Sequence, residues 1–173
     1  MSTTDGAARL NVGVAFGGVA PEHEVSVISA LQAAAALDRD RYRPVPIYIA
    51  KDGTWYTGAH LLELERFKDL DAVIEEATPV AIAPGTHGTL QLIAQPPVDT
   101  WDHLTSGPPR RWTIDVVFLG FHGGEGENGG LQGLCETFNV PYTGSGIFGS
   151  ALGMDKIRSK MICRAQDIPV VDF

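Results

Sequence analysis

The chain is 173 residues long, 44% apolar and carries a net charge of −8, which fits a globular domain with a small insertion. That acidity argues against nucleic acid or an anionic membrane as a partner, since both call for basic patches. No apolar run approaches the roughly 20 residues that span a bilayer, and Met1–Arg9 lacks the apolar centre of a signal peptide.

Leu10–Phe16 reads as a buried parallel strand ending in the Gly17-Gly18 turn. Pro21-Glu22-His23-Glu24 opens a helix that runs to about Leu37, with Val25, Ile28, Leu31 and Ala35 at near-helical spacing. Arg43–Ala50 is a second strand, and its two prolines predict an early or edge position. Lys51-Asp52-Gly53-Thr54 is a turn into a short returning strand at Trp55-Tyr56. One or two short helices follow between His60 and Glu76. Val80–Ala83 and Leu90–Ile93 flank Pro84–Thr89 as a hairpin. Gln95–Arg111 holds four prolines without periodicity and reads as a mobile surface loop.

Val116–Leu119 is the most apolar strand candidate, and it leads into Phe121–Gly133, where six of thirteen residues are glycine. Leu131, Leu134, Cys135 and Phe138 then mark a helix. Val140–Thr143 is a short strand, Gly144-Ser145-Gly146 turns into a helix through about Leu152, and Asp155 caps a last helix. On that helix Ile157, Met161, Ile162 and Ala165 are expected to face inward. Ile168–Phe173 reads as the start of another strand. Alternating strands and helices imply an α/β, three-layer fold with a mainly parallel sheet and a small β-hairpin insertion. Residues 1–9 read as a disordered tail, 10–168 as the domain and 169–173 as the start of a linker or strand.

If the strands at 10–16 and 115–119 are parallel neighbours, their carboxyl ends share an edge, where α/β proteins place ligands. Glu22 and His122 then come within a few ångströms, directly or across one water. A histidine after a buried strand can bind a carboxylate or relay a proton, or simply tie the loop to backbone carbonyls. Glu22 suits a substrate ammonium, and equally a plain helix start; Glu24 shares that ambiguity. The two cysteines, Cys135 and Cys163, make no disulfide framework and point to a reducing cytoplasm. The five histidines show no metal-ligand spacing, so no metal site is expected. Gly144–Gly149 literally matches the dinucleotide fingerprint G-x-G-x-x-G, with Asp172 as the one available acid. No nucleophile elbow or P-loop is present.

Taken together, Gly17-Gly18 with Glu22-His23-Glu24-Val25-Ser26, the stretch His122–Gly133, and Pro141–Gly146 followed by Ser150-Ala151-Leu152 and Met154-Asp155-Lys156 resemble the N-terminal domain of the D-alanine–D-alanine ligases. Asn128 stands where that family usually has Asp. The resemblance implies a Rossmann-like, pre-ATP-grasp fold and an ATP-dependent enzyme of peptidoglycan synthesis. In that family ATP phosphorylates one D-alanine and the amine of a second attacks the acylphosphate. It implies that Glu22 and His122 are the catalytic pair and that Glu22, Ser26, His122 and Gly123 bind substrate. Lys156 would reach the nucleotide phosphates, while Gly17, Gly18, Gly126, Gly129, Gly144, Ser145 and Gly146 shape the loops. ATP and Mg²⁺ are the implied cofactors, with the metal ligands in an ATP-grasp region absent from this chain. The implied partners are therefore D-alanine, ATP, that missing domain or a split partner, and a possible homodimer. The expectation is a ligase part inactive alone. The alternatives are a non-catalytic binding module on the same fold and, more remotely, a dinucleotide-binding domain.

Overall fold

The computed structural model describes residues 8–95 and 108–172. Seven strands form one sheet in the order β6-β5-β4-β3-β2-β1-β7. They are β1 Leu10–Gly17, β2 Tyr42–Ile49, β3 Trp55–Thr57, β4 Thr78–Pro84, β5 Leu90–Ala94, β6 Arg111–Ile114 and β7 Val116–Leu119. The helices are α1 His23–Ala36, α2 Leu70–Glu76, α3 Gly124–Glu127, α4 Gly130–Thr137, α5 Ile147–Met154 and α6 Lys156–Ala165, with 3₁₀ turns at Ala59–Leu62 and Leu64–Lys68.

Strand β1 is the axis of the core. Val12, Val14 and Phe16 point to one face, where they pack with Val27, Ala30, Leu31 and Ala34 of α1 and with Leu61 and Val73. Ala15 points to the other, with Ile47, Val117, Cys135 of α4 and Leu92 and Ile114 of the β5–β6 arm. This is the period-2 alternation of a strand buried on both faces. Helices on both faces make the α/β layering expected from the sequence.

The sheet is mixed rather than mainly parallel. Among the described strands, β1–β2 and β1–β7 are parallel, and β2–β3, β3–β4, β4–β5 and β5–β6 run antiparallel. The insertion enters through short turns, and a short turn reverses the chain, whereas a parallel neighbour needs a long crossover. β6 and β7 stand at opposite ends of the strand order yet only Asp115 separates them, so the sheet curls back on itself. Asp115 clamps that junction to β1: its N–H donates to the Asn11 carbonyl at 2.9 Å, and its carboxylate accepts from the Asn11 N–H at 2.7 Å. Gly13 makes room for the fold-over, because a Cβ there would lie 2.7 Å from Ile114 Cγ2 and 2.8 Å from Ile47 Cδ1.

Other expectations are revised. β2 is an interior strand despite Pro44 and Pro46. β3 pairs only with Tyr48 and Ile49, so no strand needs the missing proline N–H groups on that flank, and the Pro46 carbonyl there accepts from the Thr57 hydroxyl at 2.7 Å. Arg111–Ile114 is a strand rather than the end of a loop; residues 96–107 of that loop, like most of the expected N-terminal tail, lie outside the described residues. Val140–Thr143 makes a single bridge, Val117 to Tyr142. Ile168–Asp172 is not a strand. The expected inner face of α6 is exposed, at 61% for Ile157 and 58% for Met161, because α6 packs on α5 and not on the sheet.

Candidate functional site

The parallel register of β1 with both β2 and β7 brings the β1–α1 and β7–α3 loops to one sheet edge. Helix α1 then grips the second loop. Glu22, Ser26 and Ser29 recur at spacings of four and three, so they share one helical face. Residues 120–123 run along it. Ser26 is fully buried; its hydroxyl accepts from the Gly17 N–H at 2.8 Å and donates to the Gly120 carbonyl at 2.8 Å. Ser29 Oγ lies 2.9 Å from Nε2 of the half-buried His122. The Glu22 carboxylate lies against Gly123, where a Cβ would sit 2.7 Å from Oε2. Gly123 also has φ +71°, so both space and backbone exclude a side chain there.

Glu22 stands at the helix start without capping it through its side chain. It occupies the N-cap position of α1, yet its side chain accepts no hydrogen bond from the first turn, and it is exposed. Glu24 is different: its carboxylate pairs with Lys51 of the β2–β3 turn, and that hydrogen bond holds its carboxyl below the usual range. The loops meet as expected, but through Glu22 with Gly123 and Ser29 with His122. The hydroxyl of Ser26 is committed to backbone, so Ser26 holds the loops rather than facing a ligand.

His23 supports the same edge from inside. Its Nδ1 faces the Gly18 carbonyl at 2.6 Å, and a carbonyl can only accept, so Nδ1 carries the hydrogen. In a neutral ring Nε2 then accepts from the Tyr48 hydroxyl at 3.1 Å. Burial, followed by the nearby Glu24 and Asp52 charges, pushes the Tyr48 phenol up to about 12.

Two cavities flank the glycine loop. One, of about 210 Å³, lies between Gly18, Val19, Trp55, Phe121 and Glu125. The other, of about 410 Å³, is lined by Glu127, Gln132, Thr143, Gly144 and Ser145. Glu127 caps the loop by accepting from the Gly123 N–H at 2.7 Å. Gln132 donates to the Gly126 carbonyl at 3.0 Å. Gly126 is buried beneath Phe121, and Gly129 is the N-cap of α4. Gly144, Ser145 and Gly146 are exposed and lead into α5, where the Ser150 hydroxyl donates to the Ser145 carbonyl at 3.2 Å. Lys156 is exposed in the first turn of α6, capped by Asp155 through the Arg158 N–H at 2.9 Å.

The dinucleotide fingerprint loses its context here. Tyr142 contributes one bridge rather than a strand, and Asp172 pairs with Arg164 at 2.9 Å in an irregular segment. No described helix is long and apolar enough to cross a membrane.

A family profile described as "D-ala D-ala ligase N-terminus" matches residues 11–145. The chain belongs to that family. It is 40% identical over 164 residues to the D-alanine–D-alanine ligase of Thermosipho melanesiensis, covering 95% of this chain and 42% of the relative. The chain thus spans about two fifths of the length of the curated relatives it matches. Among solved structures it resembles the D-alanine–D-alanine ligase of Coxiella burnetii, with a TM-score of 0.76 and 34% identity over 96% of this chain and 44% of that one. The VanG D-Ala:D-Ser ligase of Enterococcus faecalis gives a TM-score of 0.73 at 27% identity, covering 95% and 44%. The Bacillus anthracis D-alanine–D-alanine ligase complexed with ATP gives 0.56 at 26%, covering 96% and 38%.

Ser29 and Trp55, at the candidate site, were not singled out from sequence. Ser29 is signalled by its position seven residues after Glu22, two helical turns along the same face. Trp55 carries no such local signal, because its place at the cavity depends on the β2–β3 turn.

Proposed function

We propose that this chain forms the D-alanine-binding wall of an ATP-dependent D-alanine–D-alanine ligase. The observation that carries the reading is the Glu22 carboxylate lying on Gly123, beside His122, at the shared edge of β1 and β7. An exposed carboxylate that caps nothing suits an ammonium. Glu22 holds the ammonium of the first D-alanine, and His122 offers a ring N–H that positions its carboxylate. Gly123 lets the two chains of atoms approach.

In this reaction ATP transfers a phosphoryl group to the carboxylate of one D-alanine. The amine of a second then attacks the acylphosphate carbon, forms the peptide bond, loses a proton and expels phosphate. The ATP-complexed Bacillus anthracis ligase supports ATP as the nucleotide. Lys156 fits a phosphate contact, since its exposed ammonium favours anions. Among the described residues no cluster of three His, Cys, Asp or Glu could hold a metal ion. The metal ligands, and the cations that stabilise phosphoryl transfer, belong to the part of the ligase outside this chain. That part, or a second copy, covers the exposed Ile157, Met161 and Ile162 of α6. Dependence on ATP suits a cytoplasmic reaction within peptidoglycan precursor synthesis.

Substituting this chain for the matched region of the Thermosipho melanesiensis ligase tests the reading. The hybrid releases phosphate from ATP when D-alanine is present. Glu22→Gln raises its KM for D-alanine about tenfold or more, since a hydrogen bond to a charged group contributes about 1.5–3 kcal/mol. Unchanged kinetics in the Glu22→Gln hybrid would remove Glu22 from the site. Mixed alone with ATP, Mg²⁺ and D-alanine, the chain releases no phosphate above background; release would show that it is a ligase by itself.

A further inference from the structure

We propose that two copies of this chain associate through the outer face of α1, laid antiparallel about a two-fold axis. From Val25 onward α1 carries no charge on any side. Its inner face, Val27, Ala30, Leu31 and Ala34, is buried in the core. Its outer face reads Val25, Ile28, Gln32 and Ala35, all exposed, with Val25 at 49% and Ile28 at 44%. A solvated helix carries charged or polar side chains on the side away from the core. Here Gln32 alone supplies that, so the strip is built to be covered. Beside it, a groove of about 410 Å³ between α1 and the Leu64–Lys68 turn adds Phe67 and Leu64, the latter 41% exposed.

Charge and spacing select a second copy as the occupant. With a net charge of −8, two copies repel except across surfaces whose charges balance. The α1 strip meets that condition: the charges beside it are paired, Glu24 with Lys51 and Glu65 with Lys68. The exposed apolar face of α6 does not. That helix carries Lys156, Arg158, Lys160 and Arg164 and no carboxylate, so laid on its own copy it sets cation against cation. Antiparallel contact centred at the level of Ala30 sets Val25 opposite Ala35 of the second copy and Ile28 opposite its Gln32, and two-fold symmetry repeats both pairings. Each branched side chain then meets a small or flexible one, as ridges and grooves of facing helices require. The two copies of Glu24 fall at opposite ends, about 18 Å apart along the helix at about 1.5 Å per residue, beyond the screening length of about 8 Å.

Sedimentation equilibrium of the purified chain measures the association. Wild type reaches twice the 18.5 kDa of one chain as concentration rises. Ile28→Glu and Val25→Glu each weaken the dimer about tenfold or more, because an unpaired charge enters an apolar contact. Val25→Glu combined with Ala35→Lys restores it, since the new carboxylate then faces the new ammonium across the axis. Met161→Glu on α6 leaves the dimer intact. All four positions are exposed, so each variant keeps the wild-type far-ultraviolet circular dichroism. A chain that stays monomeric, a dimer unmoved by Ile28→Glu or dissolved by Met161→Glu, or a double variant no tighter than Val25→Glu alone overturns the proposal. So does a strip covered only when the remainder of a relative's ligase is added. No readout involves D-alanine or ATP, so the result stands apart from the ligase reading.

Discussion

Replacing Ser26 with Ala tests the grip of α1 on the two loops. The hydroxyl is buried and serves two backbone groups from different strand ends, the Gly17 N–H and the Gly120 carbonyl, each at 2.8 Å. Alanine fits the space but leaves both groups without a partner in a region closed to water. An unsatisfied buried group costs about 1–3 kcal/mol, so with the relief of no longer burying the hydroxyl the net loss is about 2–4 kcal/mol. Urea unfolding followed by tryptophan fluorescence measures it; with a slope of about 2 kcal/mol per molar, the midpoint falls by about 1–2 M. An unchanged midpoint would refute the account of Ser26 as a staple. Lost D-alanine affinity at that unchanged midpoint would make it a ligand contact instead.

Gly126→Ala drives a methyl group into the Phe121 side chain, and the overpacking costs about 1–3 kcal/mol in a thermal melt; an unshifted melt would show that the loop yields freely. The Tyr48 phenol titrates at 10.0 in the unfolded reference and is raised to about 12 in the fold. The folded state therefore holds the proton longer, and the stabilisation present below pH 10 is lost as pH rises toward about 12. Tyr48→Phe removes that slope from stability measured against pH. Burial pushes the Cys135 thiol up to about 11, so a thiol reagent labels Cys163 first in the native chain and both cysteines only in denaturant; equal native rates would contradict the packing of α4.

Much of the layout was legible because it is written in local pattern. The apolar run of β1, the Pro84–Thr89 hairpin and the Asp155 cap each depend on residues within a few positions. The pairing of the two loops was legible as a conditional, since it needed only β1 and β7 to be parallel neighbours. The contacts within it were not. Whether Glu22 meets His122 or Gly123 is decided by the turn of α1 against residues 120–123. The exposure of α6 was equally hidden: a helical stripe of Ile157, Met161 and Ile162 shows that a face is apolar, not what covers it.

By itself the amino-acid sequence determined most of the strands and helices, though not β6 or the irregular course of Ile168–Asp172, together with the acidic balance, the glycine-rich edge and the motifs of the ligase N-terminus. Each follows from backbone freedom, side-chain period or composition, which act over a few residues. Only the tertiary structure decided that the sheet is mixed and curls until β6 lies over β1, that Ser26 is a staple, and that Ser29 holds His122. Those outcomes depend on contacts between residues far apart in the chain, such as Gly13 with Ile114 and Ser29 with His122, whose side-chain volumes and hydrogen-bonding groups become neighbours only after the strands have paired.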